Sequence, residues 1–146
     1  MAFPLDDAIA ARPGCVLIVD DEEKVRKPIR LTLTKAGYDV LEAQDGQEAI
    51  RLLMAEEHRD RIDAILCDLR MPRTNGHDAI AFIRRECPAI PVIVLTGFPD
   101  VEGAIALMRH GVHDYLLKPV TREELLRVIA RAIRQHDAAR FLADRP

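Results

Sequence analysis

Five polar residues of this chain follow directly on apolar runs. Asp20 and Asp21 come after Cys15-Val16-Leu17-Ile18-Val19, Asp68 after Ala64-Ile65-Leu66-Cys67, Thr96 after Val92-Ile93-Val94-Leu95, and Lys118 after Tyr115-Leu116-Leu117. Two unit charges about 4 Å apart interact by roughly 4 kcal/mol at an effective dielectric near 20, so three carboxylates brought together repel strongly. Lys118 neutralises one of them, and the remaining charge matches a divalent cation. Hard oxygen ligands, few in number and with room for water, favour Mg²⁺ or Mn²⁺ over zinc. A cation flanked by a lysine and a hydroxyl is equipped to hold a phosphoryl group, whose equatorial oxygens carry the charge to be stabilised. A carboxylate can itself be the nucleophile and form an acyl phosphate. Asp68, alone at the end of the central run, is the best placed for that step.

These residues meet only if the runs are neighbouring strands. Continuous apolar runs of this length read as strands covered on both faces, which is how the centre of a parallel sheet looks. Met71-Pro72 stops the third run, because Pro lacks an N–H and biases its predecessor toward extended backbone. Asp68 therefore belongs at the carboxyl edge of a sheet, where open α/β sheets bind ligands. Tyr38 to Ala43 alternates and reads as a more exposed edge strand.

Periodicity predicts the helices between them. The first spans about Glu23 to Ala36, with Val25, Ile29, Thr32, Leu33 and Ala36 on one face and Gly37 after it. Pro28 lies past its first turn and predicts a kink or a later start. A second, from Gln47 to Glu56, turns Ala49, Ile50, Leu53 and Met54 inward, and His58 to Arg61 follows as a solvated loop. Further helices span about His77 to Glu86 and Val101 to His110, the latter closed by Gly111. The last begins at the capping sequence Thr121-Arg122-Glu123-Glu124 and reaches at least Gln135. Five strands alternating with five helices predict an α/β protein with a single doubly wound parallel sheet. In the flavodoxin-like order 2-1-3-4-5 the Asp20-Asp21 pair and Asp68 face one crevice. Residues 1–13 carry no period and read as an N-terminal arm, 14–135 as the domain, and 136–146 as an extension of the last helix or a tail.

With 24 acidic against 21 basic residues the formal net charge is −3, which gives no global attraction to nucleic acid or to an anionic membrane surface. No apolar stretch approaches the roughly 20 residues of a membrane span, and the start lacks signal-peptide character, so a cytoplasmic location is expected. Cys15, Cys67 and Cys87 form no CxxC or CxxH pair and read as buried, reduced thiols rather than zinc ligands. The five histidines show no ligand spacing on one helix face and are expected at the surface. Arg127, Arg131 and Arg134 share a face of the last helix, a solvated face or a docking surface.

Taken together, Val19-Asp20-Asp21-Glu22, Asp68-Leu69-Arg70-Met71-Pro72 with Gly76 four residues on, Thr96-Gly97, and Tyr115-Leu116-Leu117-Lys118-Pro119 resemble the receiver domain of two-component response regulators. The resemblance covers about Gly14 to Gln135. It implies that Asp68 accepts a phosphoryl group from a histidine kinase or a phosphotransfer protein. Asp20 and Asp21 would hold Mg²⁺ together with Asp68 and the backbone carbonyl of Arg70. Lys118 would pair with the phosphoryl oxygens, with a cis bond to Pro119. Thr96 would shift toward the phosphoryl group and Tyr115 would turn inward behind it. The last two helices and the strand between them would then present an altered surface to a downstream partner, an output domain or a second copy of the chain. On this reading the chain is a phosphoacceptor switch, with at most autocatalytic phosphotransfer and autodephosphorylation, standing alone or excised from a longer regulator.

Each fragment also has a plainer reading. Asp20, Asp21 and Glu22 suit a helix N-terminus, Thr96 a strand-end hydroxyl bonded to backbone, and Tyr115 a core position. The competing function is a Mg²⁺-dependent phosphatase acting through an aspartyl phosphate, which calls for a second acid two residues after the nucleophile. Arg70 stands at that spacing from Asp68, whereas Glu22 stands at that spacing from Asp20. Nucleotide binding lacks a Gly-rich phosphate loop after the first strand.

Overall fold

The computed structural model describes residues 14–69, 76–98 and 100–143. The proposed N-terminal arm, together with Arg70 and Met71-Pro72, lies outside them. Five β-branched or leucine-rich runs form the strands β1 (Cys15–Val19), β2 (Asp39–Ala43), β3 (Ala64–Asp68), β4 (Val92–Thr96) and β5 (Asp114–Leu117). They pair in parallel in the order β2-β1-β3-β4-β5, as the alternation with helices predicts. β1, β3 and β4 are buried at every position, whereas the edge strand β2 has only Ala43 buried.

The helices among the described residues are α1 (Glu23–Lys35), α2 (Gly46–Met54), α3 (Glu56–Arg59), α4 (Gly76–Glu86), α5 (Val101–Arg109) and α6 (Arg122–Ala143). The pleat divides the apolar residues of each strand between two cores. Val16, Ile18, Ala64, Leu66, Ile93 and Leu95 pack under α1 and α6, through Ile29, Leu33, Leu125, Val128 and Ile129. Leu17, Val19, Ile65, Cys67, Val92 and Val94 pack under α2, α4 and α5, through Leu53, Ile80, Ile83 and Leu107. α1 and α6 thus cover one face and α2, α4 and α5 the other. Helix ends follow local chemistry: Asp45, Asp100 and Thr121 accept from the backbone N–H of Glu48, Gly103 and Glu124. Gly37 and Gly111 take positive φ just past α1 and α5, closing both helices.

Three expectations change. α1 starts at Glu23 and runs through Pro28 without a later start. Pro28 lies on its exposed side, so water can reach the Lys24 carbonyl that loses a partner. The predicted second helix stops at Met54, which is 44% exposed rather than inward. Part of the expected loop instead forms the single turn α3, and its residue Arg59 is half-buried.

Gly76 sets the path out of the central strand. A Cβ there would overlap the backbone of Leu69, so the start of α4 can approach the end of β3 only without a side chain. By contrast, a Cβ at Gly97 would meet Lys118 only at 3.9 Å. Gly76→Ala should therefore cost about 1–3 kcal/mol in urea denaturation, the usual range for overpacking, while Gly97→Ala stays within about 0.5 kcal/mol of the parent.

Candidate functional site

Register delivers the polar residues to one rim. Val19 pairs with Cys67 and Asp68 with Leu95, so Asp20 and Asp68 leave adjacent strands side by side. Thr96 pairs with Leu117, and the Lys118 N–H donates to the Thr96 carbonyl at 2.8 Å. The Lys118 ammonium lies 3.3 Å from Asp20 Oδ2 and 3.4 Å from Asp68 Oδ2. These two carboxylates are nearly covered, with side chains 4% and 8% exposed. Asp21 completes the group: one carboxylate oxygen from each of the three acids lies within 4.8 Å of the others. At that separation and an effective dielectric near 20, each pair repels by about 3–4 kcal/mol.

Asp20 is held from several sides. Its N–H donates to the Ala43 carbonyl at 3.1 Å. Its Oδ1 accepts from the Glu22 N–H at 2.9 Å, and its own carbonyl accepts from Arg26 Nη1. Arg26 also bonds Glu42 on β2 and Glu23 on α1, and Arg30 bonds the same two acids. Two guanidiniums thus face two carboxylates. This network fixes the loop backbone under the site while adding no net positive charge to it.

Thr96 is 1% exposed, and its Oγ1 accepts from the Phe98 N–H at 3.2 Å. Tyr115 is half-buried and packs against the core beneath α2, α4 and α5, and its hydroxyl is buried without a hydrogen-bond partner among the described residues. The Lys118–Pro119 peptide is cis. Asp20, Asp21, Asp68 and Lys118 therefore come together, Thr96 lies one position beyond the residue paired with Asp68, and Tyr115 sits behind on β5. The expected carbonyl ligand of Arg70 is outside the described residues.

The donor set fits a small hard dication. Three carboxylates converge, two of them anchored by strands, with no sulfur or imidazole in the group. The neighbouring thiol is not a ligand candidate, because Cys67 is buried at 1% exposure on the opposite side of the pleat from Asp68. Burial first, and then the charges of Asp68 and Asp20, push this thiol up to about 12.

Sequence reasoning missed a second polar cluster. His136, expected at the surface, is 4% exposed, and its Nδ1 lies 3.1 Å from Oδ1 of Asp63, which is itself 1% exposed. His58, His77 and His113 are half-buried, and His110 alone of the five is exposed.

With this geometry in view, the comparisons with known proteins are consistent. The response regulator receiver domain family matches residues 16–130, and the chain belongs to that family. It is similar to the transcriptional regulatory protein GlrR of Escherichia coli (strain K12), 36% identical over 85% of this chain and 27% of that protein. It is also similar to the response regulator MprA of Mycolicibacterium vanbaalenii, 40% identical over 78% of this chain and 48% of that protein. The chain thus spans from about a quarter to about half the length of these relatives. Among solved structures, a response regulator receiver domain protein from Clostridium thermocellum superposes with a TM-score of 0.80. It is 33% identical, over 86% of this chain and 98% of that one. A response regulator receiver protein from Pseudomonas putida gives 0.76 at 38% identity, over 83% and 98%. No helix among the described residues is long and apolar enough to cross a membrane.

Cys67 offers a check on the packing under the site. Its folded value lies above the ordinary 9.0. The stability that comes from keeping the thiol neutral is therefore whole below pH 9.0 and is lost between 9.0 and about 12. Across that window the denaturation midpoint should fall less in Cys67→Ala than in the parent. At pH 8 native Cys67 should react with a thiol reagent only as fast as the protein opens.

Proposed function

We propose that this chain is a phosphorylation-controlled switch in which Asp68 accepts a phosphoryl group from a phosphohistidine of a histidine kinase or phosphotransfer protein. The observation that carries the reading is the Lys118 ammonium set between the carboxylates of Asp20 and Asp68, with Asp21 in the same group. An Asp68 carboxylate oxygen attacks phosphorus, and the new P–O bond forms as the donor's P–N bond breaks. The imidazole leaves with the bonding pair. Lys118, already in reach of Asp68, pairs with the oxygens of the transferred group. Asp20, Asp21 and Asp68, with the Arg70 carbonyl that the resemblance adds, would hold Mg²⁺ or Mn²⁺. The ion would supply charge neutralisation at those same oxygens.

The response runs through Thr96 and Tyr115. The Thr96 hydroxyl, whose oxygen accepts weakly from the Phe98 N–H, turns its O–H to donate to a phosphoryl oxygen and draws the loop before α5 inward. Tyr115 fills the space behind. α5 is suited to such a shift because Leu107 is its one buried residue. Val101, Ile105 and Met108 stand 76%, 49% and 53% exposed along it, and Leu117 of β5 is 50% exposed. The surface of α5, β5 and α6, apolar along α5, is the one offered to a downstream protein, an output domain or a second copy. Phosphorylation supplies the differential contacts that bias the two states. No contact with nucleic acid or membrane is assigned to this chain, and its site of action is the cytoplasm. No observation among the described residues favours the phosphatase alternative.

A small phosphodonor with Mg²⁺ should add one phosphoryl group to the protein, and Asp68→Asn should abolish the mass increase. Equal labelling of the substituted protein at that site would refute the acceptor assignment. Asp21→Ala should weaken Mg²⁺ binding about tenfold or more, the scale of losing one charged ligand, and an unchanged titration would remove Asp21 from the metal site.

A further inference from the structure

The family match ends at residue 130, yet α6 continues to Ala143. What holds this extension differs from what holds the rest of the helix. Up to Ala132 and Ile133 it is fixed by apolar packing into the core beneath α1 and α6. Beyond Ile133 the one buried side chain among the described residues is His136, while Phe141 and Leu142 are each 64% exposed. Two of the polar contacts that bind this segment to the body converge on Asp63, the residue before β3. Asp63 Oδ1 lies 3.1 Å from His136 Nδ1 and accepts from Arg140 Nη1 at 3.2 Å. Arg140 Nη2 donates to the Asp60 carbonyl at 2.9 Å. Asp63 is anchored in turn: its Oδ2 accepts from the Cys15 N–H, and its own N–H donates to the Cys15 carbonyl.

On either side of this contact the packing is open. His136 forms part of the wall of a cleft of about 410 Å³, shared with Arg84, His113 and Gln135. It also borders a second cleft, of about 280 Å³, shared with Cys87 and Arg140. Asp63, His136 and Asp137 could approach one metal ion, but the Arg140 guanidinium on the same Asp63 oxygen repels a cation there. The cluster is a mechanical contact.

We propose that residues 134–143 form a strap, caught on Asp63 through His136 and Arg140, that leaves and rejoins the amino-terminal edge of the sheet while the domain stays folded. A segment with one buried side chain between two clefts detaches at far lower cost than a core element. While caught, the strap supplies one wall of both clefts. Released, it removes that wall and opens both clefts to solvent. The catch lies at the opposite end of β3 from Asp68 and works whether or not Asp68 is phosphorylated.

Native-state hydrogen exchange on the full chain tests this. Amides of residues 137–143 should open with little denaturant dependence and at least about tenfold more readily than those of Val128 and Ile129, which should need global unfolding. Arg140→Ala and His136→Ala should raise opening of the strap amides about tenfold or more, the scale of a lost charge-assisted hydrogen bond. His136→Asn, which keeps a donor near the Nδ1 position, should return them to within about threefold of the parent. Strap and core amides sharing one opening constant and one denaturant dependence would overturn the proposal, as would strap exchange unmoved by both alanine variants. Phosphodonor labelling of Asp68 in the same variants is an independent readout, so failure of the switch reading and failure of the strap are told apart.

Discussion

Repulsion among the carboxylates of Asp20, Asp21 and Asp68 is the constraint around which this fold is arranged. Left to themselves, such groups separate; here strand ends prevent it. Asp20 and Asp68 leave neighbouring strands in fixed register, and Lys118, delivered from β5 across the width of β4, bridges them. The parallel arrangement makes this feasible, because only parallel strands bring all their carboxyl ends to one rim. Every buried apolar residue of β1, β3 and β4 thus contributes indirectly to holding like charges together.

The surroundings keep that arrangement rigid without cancelling its charge. Arg26 is the nearest guanidinium to the Asp20 backbone seen among the described residues, but it grips the carbonyl, and its charge is matched within a four-membered network of Arg26, Arg30, Glu23 and Glu42. Lys118, with its side chain 26% exposed, remains at the mouth. A site built this way suits the proposed switch, because phosphoryl transfer relies on positioning and electrostatics at a cation and an oxyanion.

Much of this was legible in the chain itself, because strand ends and helix caps are written locally. Asp20, Asp68, Thr96 and Lys118 each follow an apolar run of strand length, and two glycines mark helix ends by the same local logic that gives them positive φ. Features set by distant partners were not legible. His136 lies among polar residues at the end of a helix, and nothing in its neighbours signals that Asp63, 73 positions earlier, will bury it. Met54 fits the inward face of α2 by period, but the helix ends on it and turns at once into α3, leaving it against solvent. In isolation Pro28 is a helix breaker. Tertiary packing of Ile29 and Leu33, together with an exposed face for the proline, outweighs the missing hydrogen bond.

β3 carries a buried acid at each end, and the two are treated in opposite ways. Asp63 is met by a backbone N–H, an imidazole and a guanidinium, all furnished by the chain, so its oxygens are directed toward protein. A buried carboxylate satisfied like this is structural: it ties elements together, and replacing one partner leaves charge stranded in the interior. Asp68 instead sits with two further carboxylates beside a half-exposed lysine, at the carboxyl end of β3. Burial and charge are similar at the two ends, so neither property alone separates a structural acid from a chemical one. What separates them is the sign of the company each keeps. An acid met by donors of the chain ties elements together, whereas an acid grouped with other acids is the one to which the proposed switch assigns the cation and the phosphoryl group.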